Sequence, residues 1–178
     1  MNAPAGNRYH YKGIEGLGGW LAILQIFLFV SIVPMLLQLL ISNSAMNGEY
    51  WSVFGVETSE HYVPEWRDYV RYGVGSSLLQ LGALLYVLLM FYGKKRYLPV
   101  IMIVYFVLAL LLDAGDLWLL SRAREALELV NLTEVAAVQP TETDLQQAVR
   151  AVVRSVAGAA VWIPYFLRSE RVANTFVR

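Results

Sequence analysis

Two arginines and two aspartates are the residues of this chain whose types and spacing could do chemistry. Arg150 and Arg154 stand four apart within an apolar stretch, residues 148–167, and Asp113 and Asp116 stand three apart near the end of another, residues 98–120. Each pair therefore shares one face of a helix. A guanidinium is charged in any protein environment, so each arginine needs a counter-charge or access to water. The chemistry such a set supports is anion recognition: the arginines contact a headgroup, a solute or a partner's carboxylate, and the aspartates hold them in place.

Other chemistries find little support. The chain has no cysteine, which removes disulfides, thiol catalysis and thiolate metal sites together. His10 and His61 fall on opposite sides of the membrane in the topology derived below, so they cannot share a metal. No apolar stretch carries a histidine, and no nucleophile lies beside an evident base. The expectation is a protein that is not an enzyme and uses neither metal nor cofactor. Gly13, Gly16, Gly18 and Gly19 do not form the dinucleotide fingerprint and follow no strand; they read as a close-packing approach to the first helix. Asn131-Leu132-Thr133 matches a glycosylation acceptor, which matters only in a secretory pathway.

The elements that position the charges are membrane spans. With 57% hydrophobic and 16% charged residues and a mean hydropathy of +0.49, the chain is too apolar for an ordinary soluble domain. Its net charge is formally zero, which suggests no nucleic-acid partner. Four apolar stretches reach spanning length: residues 20–41, 74–92, 98–120 and 148–167. The fold class expected is an all-α membrane protein, a single four-helix antiparallel bundle over residues 1–178. The first stretch is too long for a signal-peptide core, and Pro34 should kink it. Lys94, Lys95 and Arg96 form a basic turn that makes the second and third spans a tight hairpin.

Residues 43–72 and 121–147 are acidic loops. The first is rich in aromatic rings, from Tyr50 and Trp51 to Tyr72, which suits the membrane interface, and Pro64 is a plausible start for a short helix feeding the second span. Helix formers should prolong the third helix to about Val130, and Thr143 with Gln146 is a capping-box pattern for the fourth.

Lysine and arginine counts set orientation. Arg8, Lys12, Lys94, Lys95, Arg96, Arg168, Arg171 and Arg178 lie on the side of the termini, against Arg67, Arg71, Arg122 and Arg124 on the other. Both termini are expected in the cytoplasm, with both acidic loops outside. Trp20, Tyr92, Tyr97, Trp162 and Tyr165 would form an inner aromatic belt, with Tyr72 and Trp118 in an outer one.

Depth follows from the rise of about 1.5 Å per residue. Asp113 and Arg154 should lie roughly 10 Å below the outer edge, and Asp116 and Arg150 roughly 3 to 6 Å. Gln80 falls near the depth of Asp113 and Gln38 near that of Asp116. Ala151, Ser155, Gly158 and Ala159 make a small-residue face around Arg154, which would put the arginines on the bundle side. The layer is then either an outward-facing ligand pocket or a set of structural ion pairs. The leading expectation is a binding or accessory protein that contacts lipid, another membrane protein or a second copy of itself. The alternative is a small transporter or channel component using the polar layer.

Two terminal segments carry a resemblance. Residues 13–21, Gly-Ile-Glu-Gly-Leu-Gly-Gly-Trp-Leu, and residues 162–172, Trp-Ile-Pro-Tyr-Phe-Leu-Arg-Ser-Glu-Arg-Val, with Thr175-Phe176-Val177, resemble the bacterial inner-membrane family known as domain of unknown function (DUF) 2569. The resemblance implies a multi-pass protein of the bacterial inner membrane without assigned activity and transfers no catalytic residue. It draws attention to the cytoplasmic ends. Pro164 can loosen the last turn of the fourth helix, so the tail can fold beneath the bundle and bring Arg168 and Arg171 to Glu15, Gly18 and Gly19. Together with Trp20, Trp162 and Tyr165 these residues would form a cytoplasmic latch between the first and fourth helices.

Overall fold

The computed structural model describes residues 16–130 and 142–176, and over them the chain is helical with no strand. Helix α1 is Trp20–Asn47, α2 Pro64–Tyr92, α3 Leu98–Val130, α4 Glu142–Arg168 and α5 Glu170–Thr175, with a single π-helical turn at Trp51–Gly55 between α1 and α2. Helices α1, α2 and α3 are each long and apolar enough to cross a membrane. Only 17%, 28% and 22% of their most apolar stretches are buried within the chain, so most of that surface needs an apolar surrounding. Exposed Ile23, Ile26, Val33, Leu79, Leu89, Val104 and Leu111 belong to this belt, which is larger than a soluble monomer tolerates. Three such helices are consistent with a membrane protein. Helix α4, which carries Arg150 and Arg154, is more amphipathic and is not among the three.

The helices start and stop where local chemistry directs. Pro64 occupies the first turn of α2, where its missing N–H costs nothing, with Glu65 beside it at the positive helix end. The expected short helix and the second span are thus one continuous element. The basic turn closes with the Gly93 N–H donating to Leu89 O at 3.0 Å and the Lys95 N–H to Met90 O at 3.2 Å. Lys94 takes a left-handed φ of 48° to make that turn. Helix α3 extends to Val130, as its helix formers predict. Helix α4 begins at Glu142, so Thr143 sits inside the first turn rather than capping it. Helix α1 runs through Pro34 without interruption and continues past Ile41.

Two apolar cores hold the helices. At the end that holds the 93–97 turn, Leu21, Leu24 and Leu28 of α1 meet Leu84, Val87 and Phe91 of α2, Leu98, Met102 and Phe106 of α3, Trp162 and Phe166 of α4, and Val172 and Phe176 from the α5 segment. At the other end, Phe54, Val63, Trp66 and Val70 pack on Leu127. The aromatic loop therefore folds into a small core of its own against the extended ends of α2 and α3. Val63 N–H donates to Phe54 O at 2.9 Å and closes the loop. Arg67 bonds the Glu57 carboxylate and lies 5.2 Å over the Tyr62 ring, and Arg71 lies 5.8 Å over Trp51. Trp162, expected in an aromatic belt, is only 7% exposed and is core instead.

Candidate functional site

Helices α3 and α4 pack antiparallel along their length. Arg124 of α3 meets Glu142 of α4 at 2.7 Å, and Phe106 packs on Gly158 deeper in. Between these points Asp113 joins three helices: its carboxylate accepts from Gln80 Nε2 of α2 at 3.1 Å and from the Ser155 hydroxyl of α4. Asp113 and Ser155 are half-buried, so water is restricted there and the carboxylate depends on these donors. Gln80, Asp113 and Ser155, which adjoins Arg154, thus stand at one level of the helix bundle.

The rotation of α4 differs from the expectation. Consecutive helix residues point about 100° apart, and α4 turns Ser155, not Arg154, toward Asp113. Ala148, Ala151, Ser155, Gly158, Ala159, Trp162 and Phe166 form its covered side, while Arg150 and Arg154 are exposed with Val153, Ala157 and Val161. Among the described residues no ion pair joins Arg150 or Arg154 to Asp113 or Asp116. The reason is packing: at Gly158 the Phe106 ring lies about 3.8 Å from where a Cβ would stand, so the helices are in contact there and a guanidinium on that face would hold them apart. The small-residue face and the arginine face are thus separate.

Next to Asp113, Tyr72 of α2 crosses to α3 and donates its hydroxyl to Leu112 O at 3.0 Å. Gly115 makes room for it, since a Cβ there would collide with the Tyr72 hydroxyl. Asp116 is half-buried within electrostatic reach of the Tyr69 and Tyr72 phenols. Gln38 is exposed on α1 and does not join the layer. Tyr72 and Ser155 were thus the partners that spacing alone did not single out. The only signal for Ser155 was its membership of the small-residue face.

At the opposite end the two terminal segments meet. Helix α5 folds beneath the bundle, started by Ser169, whose hydroxyl accepts from the Val172 N–H at 3.4 Å. Trp20 and Trp162 meet edge to face with centroids 6.2 Å apart, and Trp162 meets Tyr165 at 5.8 Å. The Arg171 guanidinium lies against Gly18 and Gly19; Gly19 has a left-handed φ of 60°. Thr175 supplies a contact the motifs did not reveal: its hydroxyl accepts from Gly16 N–H at 2.9 Å and donates to Gly16 O at 3.4 Å. Pro164 and Arg168 are exposed at the end of α4. Glu15, the proposed partner of Arg171, lies outside the described residues.

Among the described residues no group of acidic or histidine side chains could hold a metal. What the geometry offers is polar recognition: an interior hydrogen-bonded junction at Asp113 and an exposed pair of guanidinium groups on α4. A family model described as a protein of unknown function, DUF2569, matches residues 14–177. Neither a curated protein nor a solved structure matches the chain.

Proposed function

The chain belongs to that family of unknown function, and from this premise we propose that it acts by binding rather than by catalysis, as an accessory protein of the bacterial inner membrane. One observation carries the reading. Arg150 and Arg154 are exposed on the uncovered face of α4, with no ion pair among the described residues, while the opposite face of α4 packs on the apolar α3. An arginine at membrane depth is costly unless it is paired or reaches water. On this reading the counter-charge is a carboxylate of another membrane protein or of a second copy, or an anionic lipid headgroup.

The proposal includes a fourth span and an orientation. The antiparallel contact of α4 with α3, from Arg124–Glu142 to Phe106–Gly158, supports α4 crossing beside it. The lysine and arginine bias supports cytoplasmic termini. Because the chain has no cysteine, single cysteines can report topology: Ser59→Cys should react with an impermeant maleimide from outside, and Lys94→Cys and Asn174→Cys should not.

Native mass spectrometry from mild detergent or nanodiscs tests the binding itself. Wild-type protein should retain an anionic lipid or a protein partner, and Arg150→Gln/Arg154→Gln should release it while the helical signal is preserved. Repeated recovery of a bare monomer, or retention unchanged by the double substitution, overturns the reading.

A further inference from the structure

A second recognition site lies away from the α4 arginines. Where α2 begins and α3 leaves its apolar stretch, a half-open surface cavity of about 180 Å³ is lined by Pro64, Glu65 and Asp68 from α2 and Trp118, Leu119 and Arg122 from α3. Its size selects the ligand class. Pockets for drug-sized molecules occupy roughly 300 Å³ or more, so this one admits a group the size of a lipid headgroup.

The lining selects the chemistry. Glu65 and Asp68 are three residues apart and present both carboxylates on one helix face. Trp118 adds an indole face, which attracts an ammonium group through its quadrupole. The Arg122 guanidinium carbon lies 6.0 Å over the Trp118 ring and places a permanent cation beside the acids. Among the described residues Glu65 forms no ion pair, and Arg122 pairs with neither acid. Asp68 meets only the Nε of Arg67, at 3.5 Å. Trp118 is 62% exposed, and an exposed tryptophan suits the boundary between headgroups and hydrocarbon.

We propose that this cavity binds a small zwitterion, with an ammonium group against Glu65, Asp68 and Trp118 and a phosphate against Arg122. A phospholipid with an ethanolamine headgroup and soluble phosphoethanolamine share that chemistry. The site stands on residues distinct from Arg150 and Arg154, so it stands or falls separately from the binding reading above.

The test uses the full chain, delipidated in mild detergent and titrated with phosphatidylethanolamine or phosphatidylglycerol of identical acyl chains, and separately with phosphoethanolamine. The ethanolamine lipid should bind about tenfold more tightly, and Glu65→Gln/Asp68→Asn should abolish that preference without changing binding of the glycerol lipid. Competition by phosphoethanolamine at equal affinity identifies a soluble source, and lipid binding that resists it identifies the bilayer; both support the site. Should the double variant fail to fold, Trp118→Leu, at an exposed position, serves instead, with the same loss of preference expected. Equal affinity for the two lipids together with no binding of phosphoethanolamine, or a preference unchanged in a folded variant, overturns the proposal.

Discussion

The junction at Asp113 makes a prediction that separates depth from rotation. Its carboxylate accepts from Gln80 at 3.1 Å and from Ser155, so Asp113→Ala removes two interhelical hydrogen bonds. Such bonds in membrane bundles average about 0.6 kcal/mol and reach about 1.7. The expected loss is therefore about 1 to 3 kcal/mol. A double-mutant cycle between Asp113→Ala and Ser155→Ala should return a coupling of about 0.6 to 1.7 kcal/mol. The same cycle with Arg154→Gln should return less than about 0.5 kcal/mol, as for residues that do not share an interaction. A buried Asp113–Arg154 ion pair would instead cost about 3 to 5 kcal/mol when one partner is removed. The assay is reversible unfolding in bicelles, followed by helical signal, with each single variant measured alongside. Coupling to Arg154 that exceeds coupling to Ser155 would refute the assigned rotation of α4.

Three further outcomes follow from the packing. Gly115→Ala should cost about 1 to 3 kcal/mol by overpacking, because the new methyl would meet Tyr72 and disturb its bond to Leu112; the same unfolding assay reads it, and adding Tyr72→Leu should recover part of the loss. Thr175→Val keeps the shape of a buried side chain but removes both contacts to Gly16; about 1 kcal/mol should be lost, together with faster proteolysis of the last residues. Arg124→Ala breaks contacts to Glu128 and Glu142, whose side chains are 56% and 69% exposed. It should therefore cost less than about 1 kcal/mol and become silent at high salt.

Much of this architecture was legible because the relevant signals are local. A run of apolar residues long enough to span a bilayer, a basic turn and a proline start each act within a few residues, so the hairpin of α2 and α3 and the extension of α3 could be read directly. The aromatic loop was only half legible. Its rings signalled an amphipathic surface, but that Phe54, Val63, Trp66 and Val70 would bury against Leu127 depends on α3 arriving from far along the chain. At the latch, the glycines and Trp20 announced a close approach, whereas Thr175, though part of the terminal resemblance, gave no sign that it would bond Gly16.

The charged layer divides along the same line. Sequence alone put Asp113, Gln80 and the Arg154 region at a common level, because helical rise is constant and the hairpin fixes where each helix turns. It also brought Ser155, Gly158 and Ala159 onto one face with Ala151. Which way α4 rotates against α3 was decided only by tertiary packing: the close approach of Gly158 to Phe106 and the acceptance of the Ser155 hydroxyl by Asp113 leave no room for a guanidinium between the helices. Rise is a property of one helix, but rotation is settled by two surfaces fitting together, and that fit turned Arg150 and Arg154 outward.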